Sequence, residues 1–352
     1  MPRSFVAPAF IFLAACNTAS ASVDPGDLHG VFGGASASAS AAAAPSATPR
    51  AEASARANAS AVVETHERTP DSPDCVEERG ERATVVRTLG RPACRGSEVI
   101  EWRDPSGAPR YACLFTPPEM SKRDPMPLLV VFHGSTPGLD DPASIPKLTS
   151  LRSKMDATDM NGAAPGRGFV MLGVQGRALK GPSKKGLLAG ASFDTAHASP
   201  DNLDKVATDH FVDELIERGI VDTKRIYAVG MGKGGEMAAT YAMLRADRVA
   251  AFAAFAPSTP PASWQCPGPP PPAFVTYRAC DAVVSCESVE SWLRRRDDMR
   301  SETKSYRLGE DNREEPNCAL KCSKKKGEAH HYRWPKGREN EMLRFLAGYA
   351  LK

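Results

Sequence analysis

Between Arg225 and Ala246 an apolar run ending at Val229 leads into Gly230-Met231-Gly232-Lys233-Gly234-Gly235 and then Glu236-Met237-Ala238. A β-branched run, a glycine cluster and a helix-forming stretch in that order specify a sharp strand-to-helix turn. Two chemistries use such a turn. A dinucleotide-binding G-x-G-x-x-G, matched by Gly230, Gly232 and Gly235, sets pyrophosphate on a helix N-terminus. A nucleophile elbow, G-x-S-x-G, lifts a serine hydroxyl clear of the sheet, and Gly232 stands here in the serine position. The dinucleotide motif belongs on the first strand of its unit, with an acid about 20 residues further on. Two apolar runs precede this one, and the next, Val249 to Ala256, leads into Pro257 and Ser258 without a carboxylate. A P-loop is excluded because residue 234 is glycine where serine or threonine is required.

The elbow reading calls for an acid and then a histidine later in the chain. Asp281 follows the apolar run Ala273 to Tyr277, and His330, His331, Trp334 and Pro335 lie near the C-terminus. An earlier run, Pro127 to Phe132, ends in His133-Gly134-Ser135. On these residues, and on the stretch Asp209 to Val229, the region from about Glu98 to Lys352 resembles secreted α/β-hydrolase esterases of the polyhydroxybutyrate depolymerase and feruloyl or acetylxylan esterase kind. The resemblance implies an oxyanion hole beginning at His133-Gly134 and completed by the backbone amide of Lys233. It also implies Asp281 as catalytic acid and a histidine in a terminal H-x-W-P. That histidine is His331 if the motif is shifted by one residue, with His330 as the substitute.

In enzymes of this kind serine attacks the ester carbonyl, histidine takes its proton and aspartate holds the imidazole. Gly232 has no atom to attack with, which closes the acyl-enzyme route and leaves a hydrolase-like fold able to bind a ligand in a vestigial pocket. Other routes stay open at this stage. Ser135 could supply a hydroxyl, and Lys233, if buried and neutral, could act as nucleophile or base; an ion-paired Lys233 would be inert. His331 with Asp281 could activate water directly, so that the chain would be an active carboxylic ester hydrolase.

The elements that must position these groups read as α/β. Strands are expected at Pro127 to Phe132, Gly168 to Val174, Arg225 to Val229, Val249 to Ala256 and Ala273 to Tyr277, with a sixth at Thr303 to Leu308. Helices are expected at Asn202 to Arg218, introduced by Ser199-Pro200, and at Gly235 to Ala246, Glu287 to Met299 and Arg338 to Leu351. Leu203, Val206, Ala207, Phe211, Leu215 and Ile216 fall on one face of the first of these helices. Alternation of this kind implies a mostly parallel sheet covered by helices on both faces, with function at the carboxyl ends of its strands.

That single domain, residues 75–352, follows two other segments. Residues 1–16 carry Arg3, an apolar stretch from Phe5 to Leu13, and Leu13-Ala14-Ala15-Cys16, a lipoprotein signal with the lipid expected on Cys16. Residues 17–74 are rich in alanine and serine and read as a disordered tether with a reach of roughly 40 Å. Partners expected on this reading are a lipid bilayer, through Cys16, and an ester or anionic polymer ligand. The expected location is the cell envelope, at the outer membrane. The net charge of +3 does not suggest a nucleic-acid binder. Lys321, Lys324, Lys325, Lys326, Arg333, Lys336 and Arg338 crowd the histidine segment, opposed locally by Glu328, and Lys180, Lys184 and Lys185 share another loop; either a basic rim or a solvated loop fits. Beyond Cys16, cysteines 75, 94, 113, 266, 280, 286, 318 and 322 form an even set, which in an exported chain reads as disulfides. Cys318 and Cys322 before His330 and His331 match no standard zinc spacing. No cofactor or metal is expected.

Overall fold

Apolar runs without polar alternation form strands buried on both faces, and they set the centre of the molecule. The computed structural model describes the backbone of residues 64–66 and residues 80–118, 120, 125–135, 141–142, 148–156, 160, 168–180, 191–257, 264–266, 268–318, 323–335 and 337–352. All of these belong to one compact unit, Ala59–Lys352. The signal segment and Cys16, most of the expected tether, Cys75, Cys322, Lys184, Lys185, Lys321 and Lys336 lie outside them.

The elements in chain order are β1 (Glu64–His66), β2 (Val85–Arg87), β3 (Glu98–Arg103), β4 (Pro109–Phe115), β5 (Met126–Phe132), α1 (Leu148–Arg152), β6 (Val170–Val174), β7 (Ala178–Leu179) and α2 (Leu203–Glu217). There follow β8 (Val221–Met231), α3 (Lys233–Leu244), β9 (Ala251–Phe255), β10 (Ala273–Arg278), α4 (Cys286–Asp298), β11 (Thr303–Leu308), α5 (Lys324–His331), α6 (Glu339–Ala347) and β12 (Tyr349–Leu351). Eight strands form one sheet in the order β3-β4-β6-β5-β8-β9-β10-β11. β4 is antiparallel to β3 and β6, whereas β6, β5, β8, β9, β10 and β11 run parallel.

Alternate residues of the central strands enter two separate cores. Leu128, Val130, Ala228 and Ala254 face one side, where Ala207 and Phe211 of α2, Met237 of α3 and Trp292 of α4 cover them. Leu129, Val131, Val229 and Ala253 face the other, under Leu151 of α1 and Met342, Leu343 and Leu346 of α6. The parallel register aligns Phe132 with Gly230, Met231 with Phe255 and Phe255 with Thr276. The ends of β5, β8, β9 and β10 therefore meet at one edge of the sheet.

Several local expectations are corrected. α2 has its expected bounds, but its cap is Asn202 and not Ser199-Pro200: the Asn202 side chain accepts from the amides of Asp204 and Lys205. Its buried face is turned toward Asp204, Ala207, Thr208, Phe211 and Leu215, leaving Leu203 and Val206 half-buried. The cause is Asp204: it takes Arg110 Nη2 at 2.7 Å, Arg177 Nε at 2.8 Å, Arg177 Nη2 at 2.9 Å and the amide of Asp194 at 2.7 Å. The last expected helix ends at Ala347, and Tyr349–Leu351 is a strand paired in parallel with Glu64–His66, three residues of the segment assigned to the tether. The hairpin of β3 and β4 and the helix α5 are additions to the expected set. Disulfides join Cys94 to Cys113 and Cys286 to Cys318, and Cys266 and Cys280 are also disulfide-bonded.

Candidate active site

The turn after β8 is built from backbone proximity. A Cβ on Gly230 would lie 2.0 Å from the carbonyl oxygen of Gly234, and one on Gly234 would lie 2.1 Å from that of Phe132 and 2.4 Å from that of His133. Only glycine fits at either position. Gly232 between them has φ 57° and ψ −123°, caps α3 without a side-chain hydrogen bond, and donates its amide to Phe255 O at 2.7 Å. A sharp strand-to-helix turn with a positive φ at its apex is the elbow conformation. Among the described residues one neighbour faces the apex: a Cβ on Gly232 would stand 3.1 Å from His331 Nε2.

That histidine is held from behind. Its Nδ1 lies 2.9 Å from Asp281 Oδ2, and the two side chains are 7% and 2% exposed. Asp281 follows β10, and its other oxygen accepts the amides of Val283 at 2.8 Å and Val284 at 2.9 Å. A carboxylate in this position fixes the imidazole with its proton on Nδ1, leaving Nε2 to face position 232. Consecutive residues of a helix diverge by about 100°, so α5 can aim only one of its two final histidines. It aims His331. His330 Nε2 sits 4.0 Å from Glu310 Oε1, and its buried Nδ1 has no hydrogen-bond partner among the described residues. Burial, and then the guanidinium of Arg278, lower its pKa. Trp334 packs on Phe255 with ring centroids 4.3 Å apart and donates Nε1 to Glu339 at 2.9 Å, which seats the segment following α5.

The loop after β5 is equally fixed. His133 is 1% exposed; its Nδ1 meets Gly134 O at 2.9 Å and its Nε2 takes the amide of Gly176 at 2.9 Å. Since one partner is a carbonyl and the other an N–H, the ring carries its proton on Nδ1 and both nitrogens are engaged. His133 is therefore a brace between the β5 and β6 loops and has no nitrogen left for proton transfer. Arg177, next to Gly176, is anchored on Asp204, so the buried ion cluster steadies the same loop. Ser135 Oγ is bonded to Ser192 Oγ at 2.5 Å. Lys233 Nζ pairs with Glu236 Oε2 at 3.0 Å, which favours the ion-paired reading of that lysine over a nucleophilic one. Ser192, Gly176 and the Arg110–Asp204–Arg177 cluster were not legible as parts of the site, because no local spacing links them. The partner of Lys233 was legible, as an i, i+3 acid on a helix.

The basic segment is less unopposed than its sequence suggests. Lys326 reaches Glu310 at 3.5 Å, and Arg338 reaches Glu314 at 3.1 Å and Glu341 at 2.8 Å. Cys318 is bonded to Cys286 and is not available as a thiolate ligand.

Among known proteins, no family model matches the sequence and no curated protein matches it. Solved structures do match. A thermostable esterase is similar over 73% of this chain, with a TM-score of 0.52 at 17% identity, and the match spans 64% of that esterase's length. Esterase 2 of the planctomycete Thermogutta terrifontis is similar over 64% of this chain and 86% of its own, with a TM-score of 0.46 at 16% identity. Together with the strand order and the elbow, the similarity to the first of these assigns the folded part an α/β-hydrolase fold.

Proposed function

We propose that this chain is a lipid-anchored protein of hydrolase fold that binds a ligand at the site where esterases of this fold cleave one. The observation that carries the reading is Gly232 at the apex of the elbow, directly beneath His331 Nε2. The histidine and its aspartate are in place, but among the described residues no hydroxyl stands at the apex between them and a bound carbonyl. An ester or an anionic polymer is the ligand class that the hydrolase fold and the lysines and arginines near His331 in the sequence favour. The full-length protein is expected to be inert on p-nitrophenyl acetate and butyrate and to resist labelling by fluorophosphonates; stoichiometric labelling would overturn the proposal.

A second reading has one observation in its favour, the 2.9 Å contact between His331 and Asp281, through which a water could be activated directly. Slow ester turnover that disappears in both Asp281→Asn and His331→Ala would identify this route.

The anchor rests on Leu13-Ala14-Ala15-Cys16. Acyl chains on a processed cysteine supply about 0.8 kcal/mol per buried methylene, which holds the protein at the envelope, in our proposal at the outer membrane. Cys16→Ser is expected to move the protein from the membrane fraction to the soluble fraction. A variant that stays with the membranes removes lipidation from the account.

A further inference from the structure

We infer that the niche over Gly232 binds a carboxylate. The inference rests on the proposed non-hydrolytic reading and names the chemistry of its ligand. Two independent features converge on the niche. The first is the start of α3, twelve residues long, whose cap residue Gly232 has no side-chain hydrogen bond to the helix. The first amides of a helix have no intrahelical acceptor, and the helix dipole makes that end a site for negative charge. In a serine hydrolase the hydroxymethyl group stands in front of this end; Gly232 has no side chain to place there.

The second feature is His331. The residue is 7% exposed, its Nδ1 is engaged by Asp281, and its Nε2 has no hydrogen-bond partner among the described residues. That nitrogen points at the niche, 3.1 Å from where a Cβ on Gly232 would lie. A polar ring so nearly enclosed, with its one unengaged nitrogen directed into a hollow at a helix N-terminus, marks a place for a ligand atom. When the ring is protonated, Nε2–H donates into the niche while Asp281 balances the charge from behind. A ligand oxygen there receives donors from two directions, the imidazolium and the head of α3.

The donors decide the class. An ester or amide carbonyl brings only a partial charge, whereas a carboxylate brings a full one, and hydrogen bonds to charged groups are roughly twice as strong as neutral ones. Lys233 borders the niche, but Glu236 neutralises it, so selectivity comes from His331 and the helix and not from a general basic field. A preference of about tenfold for a carboxylate over its own amide corresponds to about 1.4 kcal/mol, a modest share of such a difference.

The test uses the full-length protein in detergent micelles with 15N-labelled histidine. With seven histidines in the chain, the His331 signals are assigned by their loss in His331→Gln. Butyrate is titrated in, with butyramide and methyl butyrate as neutral controls of similar shape. The expected result is a saturable shift of the His331 signals with butyrate, at least about tenfold weaker binding of butyramide, and no butyrate response in Gly232→Ala, whose methyl group fills the niche. If that variant does not fold, the comparison of butyrate with butyramide on the native protein decides alone. No saturable shift, or equal binding of acid and amide, overturns the inference. The same spectra follow the methyl butyrate: its hydrolysis would overturn the non-hydrolytic reading, whereas an intact ester with no butyrate response removes only the carboxylate.

Discussion

Gly232→Ser is expected to turn this protein into an esterase, with turnover of p-nitrophenyl butyrate rising by roughly three orders of magnitude. Removing the nucleophile from a working serine hydrolase lowers turnover by about a million-fold, with binding and the oxyanion hole supplying the remainder. A site never tuned for this substrate should recover only part of that factor. The expectation rests on how little has to move. The apex already holds φ 57° and ψ −123°, and among the described residues a Cβ there meets only His331, at 3.1 Å. The ring must give by a few tenths of an ångström, while Asp281 keeps it oriented through a 2.9 Å bond. The new hydroxyl then lies beside His331 Nε2, the nitrogen positioned to take its proton. Serine is strained where glycine is not, and the backbone conformation should cost about 1–3 kcal/mol of stability. A lower urea midpoint is expected to accompany the gain. Adding Asp281→Asn to the variant should remove about four orders of magnitude in turnover where the triad is fully effective, and at least the whole gain here. A folded Gly232→Ser protein that neither turns over esters nor takes up a fluorophosphonate would show that the loop at His133-Gly134 and the amide of Lys233 are not arranged to hold an oxyanion.

The second large effect concerns stability. Asp204 is fully buried and accepts hydrogen bonds from Arg110, Arg177 and the amide of Asp194. Asp204→Ala leaves two buried guanidiniums without their shared counter-ion, a loss of about 3–5 kcal/mol. The cluster also gives the protein an acid limb. Burial pushes the Asp204 carboxyl up, but Arg177 and Arg110 outweigh it and hold the pKa at about 2, against 3.8 as the ordinary value. Because the folded state holds the group below its unfolded value, the stabilisation is complete above the unfolded pKa and is lost as pH falls from about 4 toward 2. Urea midpoints measured across that window should fall in the native protein and show a flatter dependence in Asp204→Ala. Equal slopes would place the acid sensitivity elsewhere. Since Arg177 adjoins Gly176, whose amide holds His133, the variant should also loosen the loop after β5.

The legible and illegible parts of this molecule divide by the range of the interactions that decide them. The central strands could be read because burial on both faces leaves continuous apolar runs, as in Leu128–Phe132 and Ala251–Phe255. The hairpin of β3 and β4 could not. Its second strand contains Arg110 and Cys113, which belong in a core only because Asp204 and Cys94 meet them there, contacts made across 94 and 19 residues. At the C-terminus, Met342, Leu343, Leu346, Tyr349 and Ala350 continue a helical period past Gly348, the residue that caps the helix after Ala347. The strand is set by long-range pairing with Glu64–His66 and by the hydroxyl of Tyr227, which donates to Tyr349 O at 2.8 Å. Within the site, Asp281 and the elbow were legible from motif and order. The choice between His330 and His331 depends on the rotation of α5, a helix that no periodic pattern announces because Lys324, Lys325, Lys326 and Gly327 begin it.

The glycines at 230 and 234 have a consequence for how such a chain changes over time. Each is demanded by a carbonyl oxygen within about 2 Å of where its Cβ would be, so selection for folding alone preserves both, whatever becomes of the chemistry. Position 232 is under no such demand. Its occupant can alternate between a residue that reacts and one that does not while the surrounding loop stays as it is. A fold of this kind can fall silent, and recover, by exchange of a single side chain.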